Sequence, residues 1–189
     1  MNNSYLSFYR NEILKNNIKK LKFCAALISN SIISDGFRIK FINELSKYKK
    51  IDMGGKFNNN VGGTVRNKID FLKSYKFSIS MENTEGNGYI SEKIVDSFLA
   101  GTIPIYYGDY MIDEYINPKS YILIKGENDI LAKINYIKKI DNDDNLYKSL
   151  LKEKVLLYDN IKSENDKELK NFLFHIFKQD KSKAFRKFF

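Results

Sequence analysis

The stretch from Tyr75 to Gly108, YKFSISMENTEGNGYISEKIVDSFLAGTIPIYYG, limits what this chain can fold into more than any other. Phe77 to Met81 alternate in a run rich in strand formers. Glu82 to Gly88 is turn-rich, with Asn83, Gly86, Asn87 and Gly88. Ser91 can cap a helix on which Ile94, Val95, Phe98 and Leu99 follow helical spacing, and Gly101 ends it. Thr102 to Tyr107 is then an almost wholly apolar run, as a strand buried on both faces requires. The sequence is one β-α-β unit, the building block of a parallel sheet. Its polar residues gather where the first strand gives way to the helix, the end of a parallel strand at which open α/β sheets bind ligands.

That loop carries specific chemistry. A helix N-terminus offers free N–H groups and a partial positive charge, and so favours a phosphate. Lys93 falls in the first helical turn, where the dipole disfavours a cation unless an anion is bound nearby. Glu92 is a carboxylate able to accept hydrogen bonds from sugar hydroxyls, Tyr89 offers a ring face and a hydroxyl, and Asn83 an acceptor and two donors. Together they compose a receptor for a sugar nucleotide. Read for periodicity alone, Glu92 and Lys93 are equally solvated first-turn residues and Tyr89 packs on the sheet edge.

The same stretch resembles the donor-binding signature of the α1,3/α1,4-fucosyltransferase family. The resemblance rests on Glu82-Asn83 at a strand end, the glycine-rich Gly86 to Gly88, Tyr89-Ile90-Ser91-Glu92-Lys93, and Thr102-Ile103-Pro104-Ile105-Tyr106 followed by Gly108. Asn117-Pro118-Lys119-Ser120 also fits, as do Lys22-Phe23-Cys24, Asp35-Gly36-Phe37-Arg38 and Val61-Gly62-Gly63 upstream. Tyr107 stands where many members have Trp, and Met81 where an aromatic is more usual; neither touches the charged set. The resemblance implies a Rossmann-like, doubly wound parallel sheet like the C-terminal half of a GT-B glycosyltransferase. It implies GDP-fucose as donor substrate, with no cofactor and no metal required, and inverting transfer of L-fucose to a hydroxyl of an N-acetylglucosamine or glucose unit of a glycan. Arg38 and Lys93 would neutralise the diphosphate, Glu92 would face the reacting centre and the donor's hydroxyls, and Asn83 and Tyr89 would anchor the donor.

The rest of the chain sets bounds. At 189 residues with 43% apolar content it can bury the core of one domain of ordinary size. The net charge of +9 suits a phosphorylated small molecule, an anionic membrane or nucleic acid. No helix-turn-helix or RNA-binding signature accompanies it, which argues against nucleic acid. Cys24 is the one cysteine; it excludes an internal disulfide, suits a reducing compartment and reads as a small buried hydrophobe. No segment has the pattern of a signal peptide or the length of a membrane span.

In chain order, residues 1–20 read as a polar linker, a frayed helix or the remnant of a missing N-terminal domain. Residues 21–160 read as the donor-binding domain. Leu21 to Ser29 is a strand, Phe37 to Tyr48 a helix with Arg38 in its first turn, Ile51 to Met53 a short strand and Asn67 to Tyr75 a short helix. Arg38 follows the first strand and therefore points to the same sheet edge as the Glu82 loop. Gly54-Gly55-Lys56 lacks the spacing of a P-loop. Tyr121 to Ile124 reads as the last strand, and Asp129 to Ile140 and Asn145 to Asn160 as helices. Asp141-Asn142-Asp143-Asp144 contains an Asp-x-Asp pattern but sits between two helices with no strand before it, so helix stop and cap is the reading taken. His175, the single histidine, belongs to a helix face.

Residues 161–189 are basic and aromatic. Phe172, Phe174, Phe177, Phe185, Phe188 and Phe189 accompany Lys178, Lys181, Lys183, Arg186 and Lys187. This is the chemistry of a helix lying on anionic headgroups, which the resemblance supports, and also of a terminal helix packing its Phe residues on the domain. A cytoplasmic protein, peripheral at the inner face of a bacterial membrane, is the expectation. The general base that deprotonates the acceptor belongs, in the family, to the N-terminal domain. Only about 20 residues precede the first matched strand, so donor binding is expected of this chain, and transfer by it alone is expected to be weak or absent. A non-catalytic nucleotide-sugar-binding module and a basic membrane- or nucleic-acid-binding α/β domain remain as alternatives.

Overall fold

The structure, a computed structural model, describes residues 3–29, 36–86 and 88–158, together with 170, 171, 174, 175 and 178. The chain divides into two compact units, Asn2–Leu157 and Met1 with Tyr158–Phe189. In the second unit Lys170, Asn171, Phe174, His175 and Lys178 are helical and exposed. The ammonium groups of Lys170 and Lys178 lie 5.9 and 5.5 Å from the Phe174 ring. The other phenylalanines and basic residues assigned to the tail lie outside the described residues, as do Asp35 and Asn87.

The larger unit is built on five parallel strands: β1 (Lys22–Ala26), β2 (Ile51–Met53), β3 (Tyr75–Met81), β4 (Ile103–Tyr107) and β5 (Ile122–Leu123), in the order β2-β1-β3-β4-β5. Each crossover carries a helix, a 3-10 helix at Tyr110–Glu114 between β4 and β5 and α-helices in the others, as parallel pairing demands. The helices are α1 (Asn3–Lys15), α2 (Phe37–Ser46), α3 (Lys68–Leu72), α4 (Glu92–Leu99), α5 (Ile130–Asn142) and α6 (Asp144–Lys152).

Strand alternation sorts these helices onto two faces. Phe77, Ile79 and Met81 of β3, with Cys24 and Ala26 of β1, enter one core with Phe41 and Leu45 of α2 and the isoleucines of α5. The intervening Ser78 and Ser80 face α4, where Ser78 Oγ bonds Thr102 Oγ1 at 2.5 Å and Ser80 Oγ bonds Ser97 Oγ at 2.6 Å. Small paired hydroxyls let α4 settle close to the sheet while satisfying buried polar atoms. With helices on both faces the sheet is doubly wound. Its strand order reverses direction between β1 and β3, which fixes the switch point there.

α1 falls in the segment read as a linker, a frayed helix or a remnant. Leu6, Arg10 and Ile13 form its buried stripe. The Arg10 guanidinium donates to the carbonyls of Thr102 and Ser120 at 3.0 and 2.9 Å and stacks 4.7 Å over the Phe98 ring. Lys20 Nζ, beyond the helix, donates to the carbonyls of Lys73 and, at 3.0 Å, Ala100, which close α3 and α4. Of the Asp-x-Asp residues, Asp143 caps α6 by accepting from the N–H groups of Asn145 and Leu146. Asp141 ends in a buried cluster with Lys49, Lys76 and Tyr48.

Candidate functional site

A cavity of about 350 Å³ opens at the carboxyl ends of β1 and β3, at the switch point. Three segments wall it. The chain leaving β1 contributes Leu27, Ile28 and Ser29, the loop after β2 contributes Gly54, Gly55, Lys56, Thr64 and Val65, and the chain leaving β3 contributes Met81 and Asn83 with Glu92, Lys93 and Asp96 of α4. Glycine is needed in the second wall: a Cβ on Gly55 would meet the Ile28 carbonyl oxygen at 2.0 Å. Lys56, set aside with the Gly-Gly-Lys pattern, is carried into the cavity wall by that close approach.

Arg38 lies in the first turn of α2 and is buried. Its Nη1 donates to Asn83 Oδ1 at 2.9 Å and approaches the Met81 carbonyl at 3.5 Å. The crossover after β1 is thereby tied to the end of β3, and Arg38, Asn83 and Lys93 line the same cavity.

Beneath them lies a group that the sequence marked only as part of the motif and gave no role. Glu82, directly after β3, is fully buried. It accepts from Ser91 N–H at 2.8 Å, from Ser91 Oγ at 2.7 and 2.9 Å, and from Lys93 Nζ at 2.5 Å. Ser91 is the N-cap of α4, as its spacing predicted, and bonds the Lys93 N–H at 3.5 Å. One carboxylate therefore orders the helix entrance and the lysine that follows. The sequence placed Glu82 at the start of the turn-rich loop, directly after the buried strand, where its burial leaves no pattern.

Glu92 is placed differently. Its side chain is 63% exposed at the cavity mouth and bonds Lys68 Nζ at 3.2 Å, which also lies 3.7 Å from Asp96. A backbone hydrogen bond at the helix start and then the Lys68 bond hold the Glu92 carboxyl below the ordinary range, while burial raises that of Asp96. Lys68 and Asp96 went unremarked in the sequence, although Asp96 stands one helical turn from Glu92. Tyr89 is 46% exposed on the loop entering α4. In all, four cations (Arg38, Lys56, Lys68, Lys93) and two carboxylates (Glu92, Asp96) line a cavity whose floor is apolar. Such a surface suits an anionic ligand with a flat apolar part.

A doubly wound parallel sheet with a basic, part-apolar cavity at its switch point is a small-molecule-binding α/β domain, of the kind that takes up nucleotides. Residues 17–179 match the model of glycosyltransferase family 10 (fucosyltransferase), C-terminal region, and the chain belongs to that family. It is 37% identical over 119 residues to the alpha-(1,3)-fucosyltransferase FucT of Helicobacter pylori, covering 63% of this chain and 25% of that protein. It is 34% identical over 115 residues to 4-galactosyl-N-acetylglucosaminide 3-alpha-L-fucosyltransferase 9 of Homo sapiens, covering 59% of this chain and 32% of that one. Among solved structures, an alpha1,3-fucosyltransferase with GDP-fucose superposes with a TM-score of 0.77 at 27% identity, over 97% of this chain and 56% of that chain. One with GDP gives 0.75 at 29% identity, over 90% and 52%. The chain thus spans between a quarter and a third of these sequence relatives and about half of the solved structures.

Proposed function

We propose that this chain is the donor-binding part of a fucosyltransferase, taking GDP-fucose for inverting transfer of L-fucose to a hydroxyl of an N-acetylglucosamine or glucose unit. The observation that carries the reading is the convergence of Arg38 and Lys93, from the crossovers after β1 and β3, on one switch-point cavity beside the N-terminus of α4. Departure of GDP leaves charge on the diphosphate. Two preorganised cations and a helix N-terminus stabilise that charge where it develops. Lys93 has three N–H donors, of which Glu82 takes one, so its charge-assisted bonds to phosphate add to that pairing.

In this reading Glu92 accepts from donor hydroxyls at the mouth, exchanging its exposed pairing with Lys68, which is worth little in water. Asn83 and Tyr89 complete the donor site. The carboxylate that deprotonates the acceptor belongs to the portion of the family that this chain does not span. Residues 161–189 are read as a basic, aromatic surface for anionic lipid.

Calorimetric titration with GDP and GDP-fucose tests the reading. Saturable binding of both at one site is expected, and so is a higher melting temperature in excess GDP. Binding to duplex DNA that weakens with salt, with no effect of GDP on melting, would favour a basic nucleic-acid-binding domain instead.

A further inference from the structure

Two buried carboxylates outside the cavity hold the loop that presents Tyr89, and the family reading gives neither of them a role. Asp109 follows β4 and is 2% exposed; its Oδ2 accepts from Gly88 N–H at 2.6 Å and its Oδ1 from Met111 N–H at 2.9 Å. Glu82 follows β3 and holds Ser91 N–H at 2.8 Å. Between the two fixed points lie only Tyr89 and Ile90. Ile90 packs into the core beneath α4, which leaves the Tyr89 side chain as the exposed part of the span.

The backbone is shaped for this double attachment. Gly88 has φ +76°, a conformation that glycine alone adopts at no cost, and it turns its N–H toward Asp109. A Cβ on Gly108 would lie 2.7 Å from Glu82 Cγ and 2.6 Å from Tyr106 Oη, so glycine there lets the two strand ends bring their carboxylates together. Burying two carboxylates is expensive. A neutral amide or hydroxyl would satisfy a loop N–H at lower cost. What the charge adds is a stiff, charge-assisted hold on both flanks of one exposed side chain and, through Glu82, on Lys93.

We infer that Glu82 and Asp109 are positioning residues. They form a two-point clamp that fixes Tyr89, which stands outside the cavity lining, and at the Glu82 end Lys93, which lines it, in the orientation that takes the donor. The inference rests on the donor-binding reading above.

The test is a double-mutant cycle in GDP affinity, measured by calorimetry on the 189-residue chain, with melting temperatures to show that each variant is folded. Asp109→Ala should weaken GDP binding about tenfold, Tyr89→Ala by a similar factor, and the double variant no further than Tyr89→Ala alone, because Asp109 acts through Tyr89. Asp109→Asn keeps an acceptor for Gly88 and should recover affinity to within about threefold of native. Should Asp109→Ala not fold, Gly88→Ala, which strains the turn whose N–H Asp109 holds, takes its place in the cycle with Tyr89→Ala and is judged by the same criteria. Native affinity in the folded single variants, or losses that multiply to about a hundredfold, overturns the clamp and leaves donor binding standing. Failure of the native chain to bind GDP overturns both.

Discussion

Lys93 Nζ lies 2.5 Å from Glu82 Oε2, and the Glu82 side chain has no contact with solvent. The pair joins the end of β3 to the start of α4 directly under the candidate donor cavity. It makes the lysine part of the fold as well as part of the site.

Glu82→Ala should therefore destabilise the chain as well as weaken GDP binding. The substitution leaves the Lys93 ammonium and the Ser91 N–H without their acceptor. Breaking a buried pair costs about 3–5 kcal/mol, and the partial exposure of Lys93 lowers the expectation to about 2–4 kcal/mol. Urea denaturation measures it. A loss below about 0.5 kcal/mol, the level of a solvated surface change, would contradict it.

Gly55→Ala tests the wall opposite. The added methyl would stand 2.0 Å from the Ile28 carbonyl oxygen, a backbone atom that cannot rotate away. The loop after β2 must back off, taking Lys56 with it. The expected cost is about 1–3 kcal/mol, with weakened GDP binding. Native stability together with native affinity would show that the loop is not seated as described.

Much of this architecture was legible before the structure. Apolar runs, alternating in β3 and continuous in β4, located all five strands, and the Ser91 cap and Gly101 stop bounded α4. Placing Arg38 after the first strand put it at the same sheet edge as Lys93, and they line one cavity. What stayed hidden was polar burial. α1 read as a linker, a frayed helix or a remnant because its inward stripe of Leu6, Arg10 and Ile13 has a cation at its centre, which no hydrophobic pattern reveals. Glu82 and Asp109 were obscured for the same reason. A carboxylate at a strand end looks solvated until the partners that satisfy it are known, and those partners are backbone N–H groups and a lysine from a neighbouring crossover. Strand order, which decides that the cavity lies between β1 and β3, depends on the crossovers and leaves no local trace.

Lys20 gives the fold an alkaline signature. Burial first, then the nearby charges of Arg10 and Lys73, push its amine down from 10.5 to about 7. A neutral amine has two N–H donors, matching the carbonyls of Lys73 and Ala100. Between pH 7 and 10.5 the unfolded chain holds a proton at Lys20 that the folded chain does not. Stability through this group should therefore rise with pH across that window and be flat below it. Lys20→Met should remove the slope, read from urea midpoints below and within the window. A native slope that survives the substitution would contradict the assignment.

The central claim is that a diphosphate is gripped by Arg38 and Lys93 at the switch point, and GDP titration of the native chain against Arg38→Gln and Lys93→Gln tests it most directly. Each glutamine keeps a hydrogen-bonding group for its neighbour, Asn83 or Glu82, and melting temperatures show that each variant is folded before its affinity is compared. Loss of one charge-assisted bond is worth about 1.5–3 kcal/mol, so affinity should fall roughly 10- to 150-fold in each variant, and Lys93→Gln should also melt at a lower temperature because Glu82 loses its cation. Folded variants that bind GDP as tightly as the native chain would contradict the account.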